Sequence, residues 1–586
     1  MNYNLNSQDT TAQQSTSGKR LLKLFAYIKT EHRALLTVFG IMVISQALTI
    51  TVPFVVGYTI DHYVFTKDFS GILKWSGVLL GMFLVNLLFS YWQTLMVGQV
   101  GQRMLYMLRN AVFVKLQELP IAFFNQNKTG DLISRINNDT DKMNQFFSQS
   151  LVQFAGGIMS MIGAGIFLLS INFKLGLATL APAILLLLFT RVLSPLVKKR
   201  NAANMKSTGG MSAEIQESLS NFKVIIAFNR RDYFRKRFDQ VNKENYATAT
   251  SAGIINNVFT PVFSFCSQVA LLAVLAYGIH LISLGEFTVG LLISYLSFAM
   301  YFYNPIRQLA ILWTNFQMAM AGWDRISQIL ELESDLKVLP ASPAKESAPL
   351  ISFQHVHFGY ADSKEILHDV SFNMEQGKTY ALVGPTGGGK TTTASLIARL
   401  YDPTAGQVLL NGRDIRSYSP EERTSKIGFI LQEPFLFSGT IQENIVYGNP
   451  VYAGYTAEQL EAVMEEYGLN TLLARFEDGL ATNIVSGNDG ISLGQKQLIA
   501  FMRAVLRNPD LLVLDEATAN IDTVTEQQLE AVLQKLPAHT TRVIIAHRLN
   551  TIENADEIFF VNHGEITRAG SFGHAMNMLL QHERRS

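Results

Sequence analysis

The stretch TYALVGPTGGGKTTTASLIARL, residues 379–400, decides the fold of the C-terminal part of this chain. Its first five residues are typical of a buried strand, residues 384–391 are rich in glycine, and the remainder is typical of a helix. Glycines at such a turn let consecutive backbone N–H groups surround a phosphate, and the helix N-terminus adds positive potential. The sequence therefore predicts a phosphate-binding loop within an α/β domain.

Two side chains of this loop and two farther along the chain predict nucleotide hydrolysis. Lys390 would reach the β- and γ-phosphates, and the hydroxyl of Thr391 would bind Mg²⁺. An apolar strand at 511–514 is followed directly by Asp515 and Glu516. We expect Asp515 to hold Mg²⁺ through water and Glu516 to polarise the water that attacks the γ-phosphate.

The chain as a whole is too apolar for a wholly soluble protein. Hydrophobic residues make up 48% of the 586 residues and charged residues 16%, whereas about 25% of a typical soluble protein is charged. A membrane-crossing helix needs about 20 mostly apolar residues. The uncharged runs that could provide such helices lie at 34–60, 75–102, 143–173, 175–190, 245–285 and 287–306. We expect one span from each run, which makes six.

Charge is distributed unevenly along the chain. Residues 1–340 carry 29 basic and 18 acidic residues, whereas residues 341–586 carry 19 and 29. With six spans and the N-terminus inside, the basic residues of the outer loops would be only Lys67, Lys74 and Lys174. The positive-inside rule then predicts a multi-pass protein of the inner (cytoplasmic) membrane with both termini in the cytoplasm.

The single cysteine, Cys266, excludes an intrachain disulfide framework and a Cys-based zinc site.

Composition divides the chain into four segments. Residues 1–18 are polar and are expected to be a disordered tail. Residues 19–333 would form a transmembrane domain that begins with a basic amphipathic elbow helix on the inner membrane surface. Residues 334–350 are typical of a linker, and 351–586 would be a nucleotide-binding domain. The expected fold class is a membrane α-helical bundle, with six spans and long intracellular helices, fused to an α/β P-loop ATPase domain.

Further motifs lie in a fixed order around the phosphate-binding loop: FILQEPFLF at 429–437, ISLGQKQ at 491–497, ANID at 519–522 and AHR at 546–548. This series resembles the nucleotide-binding domain of an ATP-binding cassette (ABC) transporter. Six spans before one such domain resemble a half-transporter of the type I exporter architecture. FFNQNKTGDLISRINND at 123–139 is similar to that family's first intracellular loop. The resemblance covers the chain from about residue 20 onward and implies ATP hydrolysis coupled to transport, with ATP and Mg²⁺ bound.

The resemblance also implies a role for particular residues. Tyr360 would stack on adenine, His547 would contact the γ-phosphate beside the catalytic Glu516, and Asp522 of the D-loop would link two sites across an interface. ATP would be held by Gly384, Thr386, Gly387, Gly388, Gly389, Lys390, Thr391 and Thr392. Mg²⁺ would be bound by Thr391, Gln432 and, through water, Asp515, and Gln432 would also sense the γ-phosphate. A signature would act in trans on the partner's nucleotide through Ser492, Leu493, Gly494 and Gln495.

Composite sites of this kind imply a dimer. The chain departs from the family pattern at Leu493, where the usual signature has glycine, and residues 482–490 lack the acidic and arginine pattern often found there. A homodimer would repeat this altered signature in both sites, whereas a heterodimer could pair it with a partner site that has lost its catalytic glutamate. We therefore expect a heterodimer with a second half-transporter in preference to a homodimer.

The expected activity is ATP-driven export or flipping of a hydrophobic or amphipathic substrate, such as a drug, a lipid or a peptide, by alternating access. Membrane lipid and a small amphipathic substrate are then the expected partners. Nucleic acid is not, because the roughly 100 residues between Lys390 and Ser492 are too few for the coiled-coil insertion of DNA-repair ATPases. An ATP-gated channel or regulator stays open as the alternative. The loop at 124–139 is expected to dock near Gln432.

Overall fold

The computed structural model describes residues 3–5, 29–340, 348–360, 364–432, 434–485, 491–515, 523–545, 553–570 and 572–583. These residues form two compact units. The membrane unit comprises the described residues within Asp9–Gln117 and Gly130–Glu331. The ATPase unit comprises those within Met1–Gln8, Glu118–Thr129 and Leu332–Ser586. The short segment 118–129, which lies between two long apolar helices in the sequence, therefore packs with the ATPase unit.

Helices dominate the first part of the chain. In order they are α1 (His32–Thr59), α2 (Phe69–Glu118), α3 (Ile121–Gln126), α4 (Thr129–Ser134), α5 (Thr140–Gln145), α6 (Leu151–Ile171), α7 (Phe173–Ser220), α8 (Phe222–Ala227), α9 (Arg231–Ser283) and α10 (Val289–Glu331). Three π-helical turns, Ile60–Val64, Arg135–Asp139 and Phe146–Ser150, extend or join them. Six of the described helical segments are long and apolar enough to cross a membrane, which confirms the predicted number.

Several of these helices are much longer than a bilayer requires. Helix α2 has 50 residues, α7 has 48 and α9 has 53. At 1.5 Å per residue they measure roughly 70–80 Å, against about 30 Å of hydrocarbon. The prediction that the spans continue as long helices outside the membrane is confirmed.

Buried tyrosine hydroxyls fix α10 against its neighbours in the membrane unit. The Tyr295 hydroxyl donates to the Leu168 carbonyl of α6 at 2.7 Å, and the Tyr303 hydroxyl donates to the Thr179 carbonyl of α7 at 2.7 Å. Both rings are almost wholly buried. Each hydrogen bond removes the cost of burying a polar group and so favours one arrangement of the three helices.

A network of charges, of which Arg135 and Asp139 are buried, joins the π turn Arg135–Asp139 to the end of α10. Arg135 is 1% exposed and donates to Asp131 at 2.9 Å and to the Gln328 side chain at 2.7 Å. Asp139 is fully buried and lies 2.8 Å from the Lys142 ammonium. Arg325 pairs with both Asp131 and Asp139. Because buried charges are tolerated only when they are paired, this network fixes the lateral position of the two elements.

The ATPase unit contains three sheets. Their strands are β1 (Ile351–Phe358), β2 (Leu367–Met374), β3 (Thr379–Val383), β4 (Ala405–Leu410), β5 (Arg413–Asp414), β6 (Ile427–Ile430), β7 (Gly439–Thr440), β8 (Asn483–Ile484), β9 (Leu511–Asp515), β10 (Thr541–Ile545), β11 (Glu557–Asn562) and β12 (Glu565–Arg568). The order β12-β11-β3-β10-β9-β6 forms the central sheet, β2-β1-β4-β5 an antiparallel sheet, and β7-β8 a short pair. From β11 to β6 the central strands are parallel.

The α-helices described after Ile351 in the ATPase unit are α11 (Lys390–Ile397), α12 (Pro420–Lys426), α13 (Ile441–Ile445), α14 (Ala457–Glu466), α15 (Asn470–Leu473), α16 (Leu493–Val505), α17 (Thr523–Lys535) and α18 (Phe572–Glu583). Helices α11, α12, α16 and α18 pack against strands of the central sheet. Strands β3 and β9 are buried along their whole length, as expected for parallel strands covered on both faces. The predicted fold class, a helical membrane bundle joined to an α/β ATPase domain, is confirmed.

The structure differs from the sequence-based expectation in the first residues of the chain. Residues 1–18 were expected to be a disordered tail, but Tyr3 and Leu5 are fully buried in the ATPase unit. Their burial depends on partners more than 100 positions away in the sequence, which local composition does not reveal. Residues 6–18 and most of the expected elbow helix, 19–28, lie outside the described residues.

Candidate nucleotide-binding site

Three positions of the loop between β3 and α11, Gly384, Gly388 and Gly389, accept only glycine. Gly384 has φ of 154°, and a Cβ there would lie 1.9 Å from the Val561 carbonyl oxygen. A Cβ at Gly388 would lie 2.7 Å from the same Val561 oxygen. Gly389 adopts φ of 115° directly before the first residue of α11. The loop therefore lies tightly over β11 with its amides free of side chains, as phosphate binding requires.

Lys390 lies at the start of α11 and is 6% exposed. Its ammonium donates to the Gly384 carbonyl at 2.8 Å and to the Pro385 carbonyl at 3.0 Å. These bonds hold the charge over the loop, beside the backbone amides. A phosphate oxygen would offer this ammonium a charged acceptor, which forms a stronger bond than a neutral carbonyl.

The next residue, Thr391, faces the end of β9. Its hydroxyl donates to a carboxylate oxygen of Asp515 at 3.4 Å, and Asp515 is 2% exposed. Gln432, which is exposed, lies two residues beyond the end of β6. Because β3, β6 and β9 are parallel, their carboxyl ends lie at one edge of the sheet, which is where α/β folds bind ligands.

The oxygen donors at this edge fit Mg²⁺. A hydroxyl and a carboxylate are the hard ligands that Mg²⁺ prefers, and it usually takes its remaining ligands from water and substrate phosphates. Among the residues that the structure describes, no cluster of three or more His, Cys, Asp or Glu side chains could hold a metal. A divalent ion at Thr391 and Asp515 would therefore depend on the phosphates for much of its binding.

Aromatic rings define the far end of the site. Tyr360 is half-buried and meets the rings of Phe358 and Tyr401 edge-on, with centroids 5.0 and 5.1 Å apart. Its hydroxyl lies 3.4 Å from that of Thr392, so it adjoins the phosphate-binding helix. A cavity of about 540 Å³ opens beside Tyr360 and Tyr401. One face of Tyr360 is thus positioned to receive a planar base.

Sequence reasoning did not identify Tyr401, which follows α11 in ARLYDPTAG. Burial raises the pKa of its hydroxyl, so the group stays protonated at neutral pH. It accepts a hydrogen bond of 2.7 Å from the side-chain amide of Asn125, in helix α3. The expected docking of the 124–139 loop near Gln432 stays a prediction; the contact described for Asn125 of this loop is with Tyr401, beside Tyr360.

Helix α16 begins at the predicted signature. The Ser492 hydroxyl accepts from the Gln495 amide at 3.2 Å, and the Gln495 side chain accepts from the Ser492 amide at 3.0 Å, which forms a capping box. Leu493 is 42% exposed, so leucine in place of glycine has no role in the core. The turn that includes Gly494 leaves helix N–H groups available to an anion.

Three predicted site residues lie outside the described residues: Glu516, Asp522 and His547. In sequence, Glu516 directly follows β9, Asp522 directly precedes α17, and His547 comes two residues after β10. Their roles stay predictions.

Comparisons with protein families agree with both units. The model described as "ABC transporter transmembrane region" matches residues 35–306, and the one described as "ABC transporter" matches residues 367–519. Among solved structures, a bacterial Atm1-family ABC exporter with ATP bound has a TM-score of 0.77 and 23% identity, covering 94% of this chain and 96% of that one. That likeness shows a shared fold.

Curated relatives match along most of their length. An uncharacterized ABC transporter ATP-binding protein of Bacillus subtilis is 32% identical over 94% of this chain and 91% of its own. A multidrug resistance ABC transporter ATP-binding and permease protein of Lactococcus lactis subsp. cremoris is 31% identical over 95% and 93%. A fatty acid ABC transporter ATP-binding/permease protein of Mycobacterium tuberculosis is 32% identical over 86% and 79%.

Proposed function

This chain belongs to the ABC transporter family, as a half-transporter of the type I exporter kind that couples ATP hydrolysis to transport, and we propose that it exports or flips a hydrophobic or amphipathic substrate across the cytoplasmic membrane by alternating access in a dimer. The observation that carries this proposal is the bond between Asn125 and Tyr401. It joins a helix that lies between two membrane-crossing helices in the sequence to the ring beside Tyr360.

In the proposed reaction, a water oxygen attacks the γ-phosphorus of ATP, the bond to the β–γ bridging oxygen breaks, and ADP and phosphate are the products. Glu516 accepts the proton of the attacking water, and His547 contacts the γ-phosphate. Lys390 and the amides of Gly387–Gly389 bind the phosphate oxygens. Mg²⁺, bound by Thr391, Gln432 and, through water, Asp515, would supply charge neutralisation. Tyr360 stacks on adenine and Asp522 links the two sites.

Ser492 and Gly494 complete the site of a second subunit in this proposal, with Leu493 and Gln495 in the same turn. A helix N-terminus whose cap is already satisfied internally is a rigid donor to a γ-phosphate oxygen. We favour the heterodimer because a homodimer would repeat Leu493, in place of the usual glycine, in both composite sites. A fully active dimer of this chain with itself would replace the heterodimer proposal.

The chain is a multi-pass membrane protein with six apolar helices. In the proposed orientation both ends are cytoplasmic, because nearly all basic residues of the membrane unit then lie on the inner side. For the substrate, the support comes from relatives whose names specify multidrug resistance and fatty acids. A molecule with an apolar body that partitions into the bilayer is common to both.

Transport assays in proteoliposomes test this function. The chain, with and without a candidate second half-transporter, is reconstituted and offered fluorescent lipids, fatty acids and amphipathic dyes. We expect ATP-dependent accumulation of one class against its gradient, and none when Lys390→Ala replaces the wild type. Flux that only runs down a gradient when ATP is present would instead identify an ATP-gated channel.

A further inference from the structure

We infer that Tyr3 and Leu5 are positioning residues for coupling: they strap helix α3 to the segment 332–335, where the chain enters the ATPase domain. We call Tyr3–Leu5 the strap. Its effect on transport rests on the proposed function, whereas its effect on the position of α3 can be measured without transport. All of its described contacts lie within the ATPase unit.

Tyr3 bonds to two parts of the chain at once. Its backbone N–H donates to the Gln126 side chain at 2.7 Å, at the end of α3. Its hydroxyl donates to the Glu333 carbonyl at 3.2 Å and accepts from the Asp335 amide at 2.9 Å. Because Tyr3 is 0% exposed and both ends of it are hydrogen-bonded, the residue is held at fixed distances from α3 and from 333–335.

Asn127, which caps α3, holds the backbone of the strap. Its side-chain amide donates to the Tyr3 carbonyl at 2.9 Å and to the Phe123 carbonyl at 2.7 Å. Its side-chain oxygen accepts from the Leu5 amide at 3.1 Å. The Asn127 side chain thus bonds to the strap on both sides of Asn4 and to a carbonyl of α3. Displacement of the strap would therefore leave buried polar groups unpaired.

Apolar packing completes the strap. The Tyr3 ring meets Phe123 edge-on, with centroids 6.4 Å apart, and both side chains are fully buried. Leu5 is also fully buried. In residues 2–18 the only large apolar side chains are Tyr3 and Leu5. Both large apolar side chains of this polar stretch are therefore buried in the ATPase unit.

Helix α3 needs such support because of its length. It has six residues, follows Pro120 without a side-chain cap, and is too short to be stable alone. It also carries Asn125, which bonds to Tyr401 beside Tyr360. Whatever holds α3 in place therefore also sets the position of Asn125 at the nucleotide site.

The test uses the full chain with the paired replacement Tyr3→Ala and Leu5→Ala, and separately Tyr3→Phe. Tyr246→Ala is the matched control, because that tyrosine is 72% exposed in α9. Hydrogen–deuterium exchange of the peptide spanning 118–129 reports on α3 directly. The number of substrate molecules transported per ATP hydrolysed, measured in proteoliposomes, reports on coupling.

We expect faster exchange in the 118–129 peptide and at least a fivefold lower transport-to-ATPase ratio for the double replacement, with ATP affinity unchanged. Tyr3→Phe keeps the packing against Phe123 but loses the hydroxyl bonds to Glu333 and Asp335, so it should leave exchange of the 118–129 peptide near the wild-type value and still lower the transport-to-ATPase ratio. Unchanged exchange in the double variant overturns the strap, and faster exchange with an unchanged ratio overturns its role in coupling. If wild-type protein shows no ATP-driven flux, the proposed function fails, while the exchange result still decides whether Tyr3 and Leu5 hold α3.

Discussion

Asn125 donates a 2.7 Å hydrogen bond to the hydroxyl of Tyr401. Tyr401 in turn meets Tyr360 edge-on, so only one ring separates helix α3 from the residue proposed to stack on adenine. In the sequence, α3 lies directly after the 50-residue apolar helix α2. A shift of α3 would therefore be transmitted to Tyr360, at the end of the candidate nucleotide site, through two defined contacts.

Removal of this hydrogen bond should weaken coupling more than binding. For Asn125→Ala and for Tyr401→Phe we expect the transport-to-ATPase ratio to fall about twofold to tenfold, since one such bond contributes about 0.5–1.5 kcal/mol. The affinity for ATP should change less than twofold, because the Tyr401 ring remains beside Tyr360. Equal losses of ATP affinity and transport would show that Tyr401 acts on binding alone.

In the proposed site Lys390 binds the phosphates in the ground state, so its replacement should lower nucleotide affinity. A hydrogen bond to a charged group contributes about 1.5–3 kcal/mol, so Lys390→Ala should weaken ATP binding by roughly 10- to 150-fold. Titration with a fluorescent ATP analogue measures this. Lys378→Ala is the control, because that lysine pairs with Glu375 and is half-exposed. A wild-type affinity for ATP in Lys390→Ala would show that this lysine does not bind the phosphates.

The buried charges around Arg135 should contribute to the stability of the membrane unit. Arg135→Ala removes the bond to Gln328 and one of the two cationic partners of Asp131, which is 32% exposed and keeps Arg325, so we expect a loss of about 1.5–3 kcal/mol, the contribution of a hydrogen bond to a charged group. The exposed pair of Lys243 and Asp239, at 2.7 Å, provides the control. Lys243→Ala should cost less than about 1 kcal/mol. Thermal unfolding in detergent compares the two, and equal shifts of the midpoint would contradict the structural role of this network.

Leu493→Gly restores the usual signature residue and tests the heterodimer. Leu493 is exposed, so the replacement should leave the core intact. In the favoured heterodimer, the altered signature faces a partner site that turns over slowly, and total ATPase activity should change less than twofold. In a homodimer the same replacement would improve both sites, and ATPase activity of the chain expressed alone would rise severalfold.

The sequence predicted those features that depend on neighbouring residues. The strand, loop and helix around Lys390 are contiguous, and Asp515 is the last residue of an apolar strand, so both follow from local pattern. Tyr3, Asn127 and Tyr401 could not be predicted in the same way. Their contacts join residues more than 100 positions apart, and nothing in their local sequence distinguishes them from exposed polar or aromatic residues.

Expected domain boundaries were also set by local composition. A change from apolar to polar residues places a boundary near 334, but it gives no reason to assign 118–129 to the ATPase unit. That assignment depends on the tertiary contacts of α3, which is itself too short to be stabilised by local propensity.

The most direct test of the central claim, that ATP hydrolysis by this chain drives transport, is the turnover of Glu516→Gln. The variant keeps the phosphate and Mg²⁺ contacts and loses only the carboxylate proposed to act on water. We predict ATP binding within twofold of wild type, hydrolysis at this chain's site slower by roughly 10²-fold or more, and loss of ATP-driven flux. Wild-type rates of hydrolysis at that site, or flux that persists without hydrolysis, would contradict the account.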